Sequence, residues 1–548
     1  MLRKVSKNYF ALDSAFFHLY TDGPLRGVPG IRIVRNSDTS EILGIDLHLT
    51  HLALLEIKGE DFTDFPLTQT ELNFPFDLRT YQQEAVEFAR TRKNAGLFHD
   101  LGLGKSAIAL ASIREFPAIL VCPNSAIHVW EREARQAGIQ TQILQGHKSS
   151  AKALNENIDL FIVTIGSAHR WLSLFRKYAM GPTVKTKIFD EAHALHIKES
   201  KMYQTFTSVG TEQTLILTAT PMRNRLKSLH GLLGTLTFGA FGSRSEFRVR
   251  YCGASPGEYG LVDGLPTNTE ELAQRLTEIV CTESWTNPDI QHLRPQLIRE
   301  RIKADISIGD RRDLLHRAMA TVYNQFTGMD GSGVSGTTLA FLTAQRVEIG
   351  KEKAKWLGES GLLDEFQEKH KRVIWWAYHK KGAQIIRDSL KRFGRPIDYI
   401  TGDTSLVVRE RVLKEWQDGD PTDPRNLVCT ISSMNSAVNL ITAEACVTAE
   451  QSWAPIELQQ LEARHHRPGN KHKTVYAYYI TIPNTIDDRI SQVLCEKLQD
   501  HETILGESSQ KEQMQTLIGQ ENWADESIWL TGLDTIGEGS TPTCRMKD

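Results

Sequence analysis

The stretch from Ala95 to Ala111, AGLFHDLGLGKSAIALA, contains the residues best suited to chemistry: an apolar run, a glycine loop and the start of a helical pattern. Glycines let successive backbone N–H groups approach an anion, and the helix that follows adds its positive N-terminal end. Lys105 would reach the β- and γ-phosphates of a nucleotide, and the Ser106 hydroxyl would bind Mg²⁺. The loop therefore predicts an ATP site made of Gly102, Leu103, Gly104, Lys105 and Ser106.

Two features near the loop leave alternatives open. The strict pattern has a glycine five residues before the second glycine, where this chain has His99. On the loop alone, a glycine-rich turn with an incidental lysine stays an alternative. Upstream, Gln82 begins a helical pattern that leads into the loop, and its amide could read an adenine edge. A solvent-facing helix glutamine is the alternative for Gln82.

Apolar strand-like runs alternate with helical patterns after the loop. The runs are 118–121, 160–163, 186–189 and 215–217. This alternation is typical of an α/β fold with a doubly wound parallel sheet, in which ligands bind beyond the carboxyl ends of the strands. The remaining polar motifs each follow one of these runs.

Asp190 and Glu191 end the strand-like run at 186–189 and are followed by Ala192-His193. Adjacent acids at a strand end repel each other unless a cation or proton is shared there, and Mg²⁺ would supply the cation. We expect Asp190 to hold Mg²⁺ and Glu191 to orient and deprotonate the attacking water. An acid that caps a helix is the alternative. After the next run, the hydroxyls of Thr218 and Thr220 could sense the γ-phosphate.

Composition sets bounds without identifying a ligand. The 548 residues are 40% hydrophobic and 24% charged, with a net charge of −3. This length suits about three or four domains. No run reaches the roughly 20 apolar residues that span a bilayer, so we expect an intracellular protein without a membrane partner. The seven scattered cysteines form no C-x-x-C pair, which disfavours a disulfide framework or zinc knuckle.

In this order, the motifs resemble helicase superfamily two, and within it the Swi/Snf family of DNA-translocating ATPases. The resemblance runs from about Leu78 to Ile490. The first half carries Leu78-Arg79 with Tyr81-Gln82, DLGLGKS, Leu120-Val121-Cys122-Pro123 with Trp130, DEAH, and LTATP with Arg223-Asn224. The second half carries RVIWWAY from Arg372, Ile400-Thr401-Gly402-Asp403-Thr404 and NLVCT from Asn426, which repeat the strand and helix alternation without a phosphate loop.

The resemblance implies two RecA-like lobes with ATP and Mg²⁺ between them. The segment from Gln460 to Asn470 looks like the family's arginine motif, so Arg464 and Arg467 would face the ATP and Arg467 would be the arginine finger. By family position, nucleic acid would lie near Pro123, Trp130, Thr164, Asn439 and Trp453, each of which could instead be a core or turn residue. The pair His465-His466 could also suggest a metal-dependent nuclease, although no acidic partner accompanies it.

This sequence departs from the family pattern at several places, one of which is Glu450 as the acid upstream of the family's Trp-x-Pro. Asn470 stands where the family usually has glutamine, Ala219 where relatives prefer glycine, and no glycine-rich sequence precedes Asn439-Leu440. The resemblance implies lobe 1 (75–240), a helical insertion (241–360) and lobe 2 (361–506). Short alternating runs such as 31–34 indicate a small N-terminal β-rich or mixed module (1–74), and polar, acidic sequence with little periodicity indicates a C-terminal tail (507–548). Basic helical stretches are expected in the insertion, including Arg299-Glu300-Arg301.

The function implied is an ATP-dependent DNA translocase of compact bacterial or phage type, acting in remodelling, annealing or fork processing during replication or repair. Duplex or branched DNA would be its partner, and the N-terminal module could contact a replication or repair protein. It would be cytoplasmic, or nuclear in a eukaryote. A strand-separating DNA or RNA helicase and a non-hydrolysing nucleic-acid scaffold are the alternatives, and the presence of Lys105, Glu191 and Arg467 disfavours the scaffold.

Overall fold

A computed structural model describes residues 77–146, 154–155, 157–175, 183–222, 226–237, 240–257, 260–306, 334–434, 438–452, 455–483 and 487, with four short strands before residue 44. Only the backbone is described for those strands and for 334–345, 406, 455 and 456. The described chain divides between Leu293 and Arg294 into two compact units, with Val438 grouped with the first. The units are described separately below.

The four early strands form a small antiparallel sheet in the order β1-β2-β4-β3. They are β1 (Arg3–Ser6), β2 (Tyr9–Leu12), β3 (Ile33–Arg35) and β4 (Glu41–Leu43). The limits expected for a module at 1–74 stay a prediction, and most of that stretch, like the whole expected tail at 507–548, lies outside the described residues.

A seven-stranded parallel sheet forms the centre of the first unit. Its strands are β5 (Asn94–His99), β6 (Ala118–Cys122), β7 (Thr141–Leu144), β8 (Leu160–Thr164), β9 (Thr186–Asp190), β10 (Gln213–Leu217) and β13 (Val280–Glu283). They lie in the order β13-β5-β10-β9-β6-β8-β7, and every pair is parallel. The four strands predicted from the apolar runs are observed as β6, β8, β9 and β10.

Helices connect these strands, as a parallel sheet requires. They are α1 (Thr80–Arg90), α2 (Lys105–Ala111), α3 (Ile127–Gln136), α4 (Ile165–Trp171), α5 (Lys201–Ser208), α6 (Leu229–Thr237), α7 (Arg244–Tyr251), α8 (Thr269–Thr277) and α9 (Pro288–Gln291), with a hairpin of β11 (Ser255–Gly257) and β12 (Gly260–Val262). Neighbouring residues of one strand, such as Ile188 and Phe189, enter different apolar clusters because successive side chains point to opposite faces.

The second unit is built on a six-stranded parallel sheet in the order β14-β19-β18-β15-β17-β16. Its strands are β14 (Gln296–Lys303), β15 (Arg372–Ala377), β16 (Ile397–Ile400), β17 (Arg425–Thr430), β18 (Ala445–Thr448) and β19 (Thr474–Thr481). Its helices are α10 (Val334–Glu359), α11 (Leu362–Lys369), α12 (Lys380–Leu390), α13 (Leu406–Asp418) and α14 (Pro455–Glu462). The predicted α/β class with two parallel sheets is confirmed.

The stretch expected as a helical insertion contains strands of both sheets. β13 pairs with β5 in the first sheet, and β14 pairs with β19 in the second. The prediction that Arg299-Glu300-Arg301 is helical was wrong, because these residues lie in β14, an edge strand along which more exposed and more buried positions largely alternate. Among the described helices, none combines the length and apolarity that crossing a membrane requires.

Candidate nucleotide site

The predicted phosphate loop connects the end of β5 to the start of α2. Gly102 and Gly104 have φ values of 84° and 77°, in the left-handed region that side chains other than glycine rarely adopt. A Cβ on Gly104 would lie 2.4 Å from Nε2 of Gln82. Both the backbone conformation and the space therefore require glycine at residue 104.

Lys105 is the first residue of α2, and its ammonium group lies against the loop backbone. Nζ donates hydrogen bonds to the carbonyl oxygens of His99 (2.8 Å) and Asp100 (3.0 Å). The His99 side chain is fully buried, and burial together with the Lys105 charge lowers the pKa of its imidazole to about 3. At residue 99 the chain thus carries a neutral, buried ring where the strict pattern has glycine.

Helix α1 supports the loop from one side. The Tyr81 hydroxyl and Nε2 of Gln82 both donate to the carbonyl of Leu103, at 3.1 and 3.2 Å. Oε1 of Gln82 accepts from the backbone N–H of Arg79 at 2.9 Å. Gln82 is only 7% exposed, so the solvent-facing alternative does not apply. Its predicted contact with adenine stays a prediction.

The residues after β13 support the loop from a second direction, which the sequence analysis missed. The Ser284 hydroxyl and the Trp285 backbone N–H donate to the same carboxylate oxygen of Asp100, at 2.9 and 3.1 Å. The Trp285 indole N–H donates to the Leu101 carbonyl at 2.8 Å. The only signal in the sequence was an isolated tryptophan after a short β-type run.

Asp190 ends β9 two strands away from β5 in the sheet. Its carboxylate accepts one hydrogen bond from the indole N–H of Trp130 and one from the backbone N–H of Glu191, both at 2.9 Å. Burial and the Glu191 charge raise the pKa of Asp190 to about 6, against the opposing effects of the Trp130 hydrogen bond and Lys105. The carboxylate is thus held in one orientation by two donors.

The prediction that Trp130 lies at nucleic acid does not fit this arrangement. Trp130 is 1% exposed, and its ring packs in the apolar core on one face of the sheet. Only its N–H reaches a polar group, the Asp190 carboxylate. We therefore assign Trp130 to the support of Asp190.

Glu191 has a backbone φ of 54° and ψ of 51°, a left-handed conformation that costs a side-chain-bearing residue roughly 1 kcal/mol or more. This turn ends the strand and starts the 3₁₀ helix Ala192–Leu195. Oε2 of Glu191 lies 3.2 Å from Nδ1 of His193. The left-handed backbone turns the chain at Glu191, so its side chain leaves the direction of strand β9.

Four further predicted residues follow strands of the same sheet at the same edge. Pro123 follows β6 and Thr164 ends the adjacent β8, where Thr164 pairs with Cys122 and caps α4 through Ser167. Thr218 and Thr220 follow β10, are buried, and are joined by a hydrogen bond from the Thr220 N–H to the Thr218 hydroxyl at 3.0 Å. The structure thus brings the nucleotide residues and these four to one edge, and their individual roles stay predictions.

The predicted arginines lie in the second unit, after α14. Nη1 of Arg467 donates to Oδ1 of Asn439, so this residue orients the arginine that the resemblance identifies as the finger. Arg464 is buried, and its carbonyl accepts from the Leu440 N–H at 2.8 Å. Trp453 lies outside the described residues.

The two histidines of the arginine segment bind backbone carbonyls. Burial lowers the pKa of His465 to about 4 and that of His466 well below its usual range, so both are neutral at pH 7. Nε2 of His465 donates to the Tyr476 carbonyl and Nε2 of His466 to the Pro295 carbonyl, at 3.2 and 3.0 Å. Asn470, in place of the family's glutamine, donates to the carbonyls of Ala443 and His465.

Comparison with known proteins shows what the chain is similar to. Residues 81–329 match the family model described as the SNF2-related domain. The chain is 23% identical over 470 residues to SWI/SNF-related matrix-associated actin-dependent regulator of chromatin subfamily A-like protein 1 of Xenopus tropicalis, covering 83% of this chain and 47% of that protein. It is 22% identical over 525 residues to the putative ATP-dependent helicase/translocase YwqA of Bacillus subtilis, covering 89% and 54%.

A solved structure described as the Sulfolobus solfataricus SWI2/SNF2 ATPase core in complex with dsDNA is 18% identical, with a TM-score of 0.39, and covers 84% of this chain and 100% of that chain. The chain spans about half the length of the two relatives named above. The match of residues 81–329 to the family model and the similarity to these two relatives confirm the resemblance to the Swi/Snf family that the motifs indicated.

Proposed function

Because residues 81–329 match the family model described as the SNF2-related domain, we propose that this chain hydrolyses ATP and uses the energy to move along DNA. One observation carries the proposal. The phosphate loop with Lys105 and the Asp190-Glu191 pair follow strands of one parallel sheet at the same edge. Such an edge is where α/β folds bind nucleotides.

In the proposed reaction, backbone N–H groups of the loop and the start of α2 bind the phosphates, and Lys105 moves from the His99 and Asp100 carbonyls onto the β- and γ-phosphates. Glu191 orients a water molecule and accepts its proton as the water attacks the γ-phosphorus. The bond between the γ-phosphorus and the bridging oxygen breaks, and ADP leaves with the electron pair.

The residues present fit a Mg²⁺ ion. Magnesium prefers oxygen ligands and binds proteins through one or two carboxylates with water and substrate phosphates. The Ser106 hydroxyl and the Asp190 carboxylate, which keeps lone pairs beyond its two hydrogen bonds, would hold the ion. When bound, Mg²⁺ would neutralise charge on the phosphate oxygens.

Arg464 and Arg467 would complete the site from the second unit. Because each guanidinium would contact the ATP itself, bound ATP would favour closure of the two lobes. Hydrolysis would remove the γ-phosphate and with it the free energy that favours closure. Removal of an arginine finger lowers the rate by about 10³ to 10⁵. DNA contacts near Pro123 and Thr164 would be to phosphates, which makes binding tolerant of sequence and sensitive to salt.

The test is the rate of ATP hydrolysis without nucleic acid and with duplex DNA, single-stranded DNA or RNA. We expect duplex DNA to stimulate hydrolysis, and Lys105→Ala and Arg467→Ala to abolish it. Two exposed positions supply matched controls, Lys201→Ala and Arg411→Ala, which should keep the wild-type rate. Triplex displacement by the stimulated enzyme would establish movement along DNA.

Other outcomes identify the alternatives. Stimulation by RNA or single strands alone, with strand displacement, would indicate a helicase. Binding of duplex DNA without hydrolysis would indicate a scaffold. A rate of ATP hydrolysis that does not change when nucleic acid is added would refute the translocase proposal. A role in remodelling, annealing or fork processing, and a partner for the N-terminal module, belong to the same proposal.

A further inference from the structure

The segment Ser284–Pro295 carries the chain from the first unit into the second, and we call it the linking segment. Its first two residues are fastened to the phosphate loop. Ser284 and Trp285 donate three hydrogen bonds to Asp100 and Leu101, at 2.9, 3.1 and 2.8 Å. These hydrogen bonds join residues 184 or 185 positions apart in the sequence, so they hold the segment to the phosphate loop.

Apolar packing continues this attachment through the segment. Trp285 and Ile290, which are 3% and 5% exposed, form one buried cluster with Tyr81 and Leu103. Leu293 packs against the same cluster. Leu103 lies inside the phosphate loop, so the linking segment is packed on the loop almost to its last residue.

The far end of the segment is fastened to the arginine motif. Nε2 of His466 donates to the Pro295 carbonyl at 3.0 Å, and the next residue is Arg467. The strand that follows, β14, is tied to the same motif by a buried ion pair, in which Arg299 donates to both carboxylate oxygens of Glu462. The Tyr479 hydroxyl also donates to Glu462.

We propose that the linking segment couples the phosphate loop to the arginine finger, with Ser284, Trp285 and His466 as positioning residues. Leu293 packs against the cluster that contains Leu103 of the phosphate loop, and Pro295 is hydrogen-bonded to His466 of the arginine motif. Only Arg294 lies between these two residues. A link of two residues reaches at most about 7 Å, so it has little slack to absorb a shift of either end. We therefore expect a change in the loop on nucleotide binding to act on the hydrogen bond between Pro295 and His466, the residue that precedes Arg467 in the chain.

The inference rests on the proposed DNA-stimulated ATPase, and the test separates the two. Trp285→Phe keeps the buried ring and removes the N–H, Ser284→Ala removes the hydroxyl, and His466→Ala removes the bond to Pro295. Glutamine at residue 466 keeps a donor near Nε2, so His466→Gln should restore function. The controls are Thr286→Ala, at an exposed position, and Trp356→Phe, at a partly exposed tryptophan.

We expect Trp285→Phe and His466→Ala each to lower the duplex-stimulated kcat about tenfold, with the KM for ATP changed less than about twofold. The double variant should be no slower than the worse single one, because both changes break one connection. Ser284→Ala should lower kcat in the same sense, and both controls should match the wild type.

Multiplying effects in the double variant, close to a hundredfold, would overturn the inference, as would losses confined to KM or to thermal stability. A wild-type enzyme without duplex stimulation would instead refute the proposed function. If duplex DNA stimulates the wild-type enzyme and the Trp285→Phe and Ser284→Ala variants have the wild-type kcat, the coupling is refuted and the proposed function is not.

Discussion

Trp130→Phe should move the acid limb of the pH profile of ATP hydrolysis toward higher pH. The indole N–H donates to the Asp190 carboxylate at 2.9 Å and favours its ionised form. Phenylalanine keeps most of the buried ring volume and removes only this donor. Because Trp130 is 1% exposed, water does not readily replace the lost hydrogen bond.

The size of the shift follows from the energy of that bond. A hydrogen bond to a charged group contributes about 1.5–3 kcal/mol, and one pH unit corresponds to about 1.4 kcal/mol. Burial and Glu191 already raise the pKa of Asp190 to about 6. Loss of the donor should therefore raise the midpoint of the acid limb by roughly one to two pH units. Since the ionised carboxylate would bind Mg²⁺, added Mg²⁺ should move the midpoint back down.

The assay measures kcat/KM for ATP from pH 5 to 9 at limiting and at saturating Mg²⁺. Trp171→Phe is the matched control, because Trp171 is also buried in this unit and its indole N–H has no hydrogen-bond partner among the described residues. We expect its profile to follow the wild type. If Trp130→Phe loses activity by the same factor at every pH, Trp130 does not act through the Asp190 carboxylate.

Three further predictions concern the loop, the finger and acid stability. Gly104→Ala should weaken ATP binding at least tenfold, because its φ of 77° costs about 1–2 kcal/mol and the new Cβ meets Gln82. Gly138→Ala is the control: it has a similar φ of 80° with open space but lies outside the phosphate loop, so it should lower stability and leave ATP binding unchanged in nucleotide titrations. Asn439→Ala should lower kcat roughly 10- to 100-fold by freeing Arg467, with no change in the DNA concentration for half-maximal stimulation; a change only in that concentration would make Asn439 a DNA contact. The free energy of unfolding, measured with denaturant, should fall below pH 6.5, because the unfolded chain then binds protons at histidines that burial keeps neutral in the fold. Each such histidine should lower the free energy of unfolding by about 2 kcal/mol at pH 5. These are His99, His230 and His465, whose pKa values burial lowers to about 3, 4 and 4; a flat profile from pH 7.5 to 5 would contradict this.

The sequence sufficed for the features that depend on local pattern. Apolar runs such as 118–121 and 186–189 are buried strands, and the polar motifs that follow them meet at one sheet edge because parallel strands share a direction. The glycine of the loop was identified from its role in approaching phosphates. The left-handed φ of Gly104 agrees with that reasoning.

Contacts between distant parts of the chain could not be predicted in this way. The bonds from Ser284 and Trp285 to Asp100 and Leu101 span more than 180 residues, and nothing in the local pattern at 284 points to a phosphate loop. The contact between Trp130 and Asp190, which are 60 positions apart, could not be predicted for the same reason. Helical spacing places Trp130 on a face of α3 but does not say that this face covers Asp190. The alternating charges of β14 resembled a solvated helix because both patterns expose polar residues.

The position of β14 bears on how the protein avoids aggregation. Within the part of the chain that the structure describes, β14 pairs only with β19 and forms an edge of the second sheet. An unpaired edge of eight residues is a template onto which a strand of another molecule can add. The exposed residues Glu300 and Lys303 place charges along this strand, and desolvating them opposes such intermolecular pairing. We therefore expect neutral residues at these positions to make the folded chain more prone to self-association, an effect independent of nucleotide chemistry.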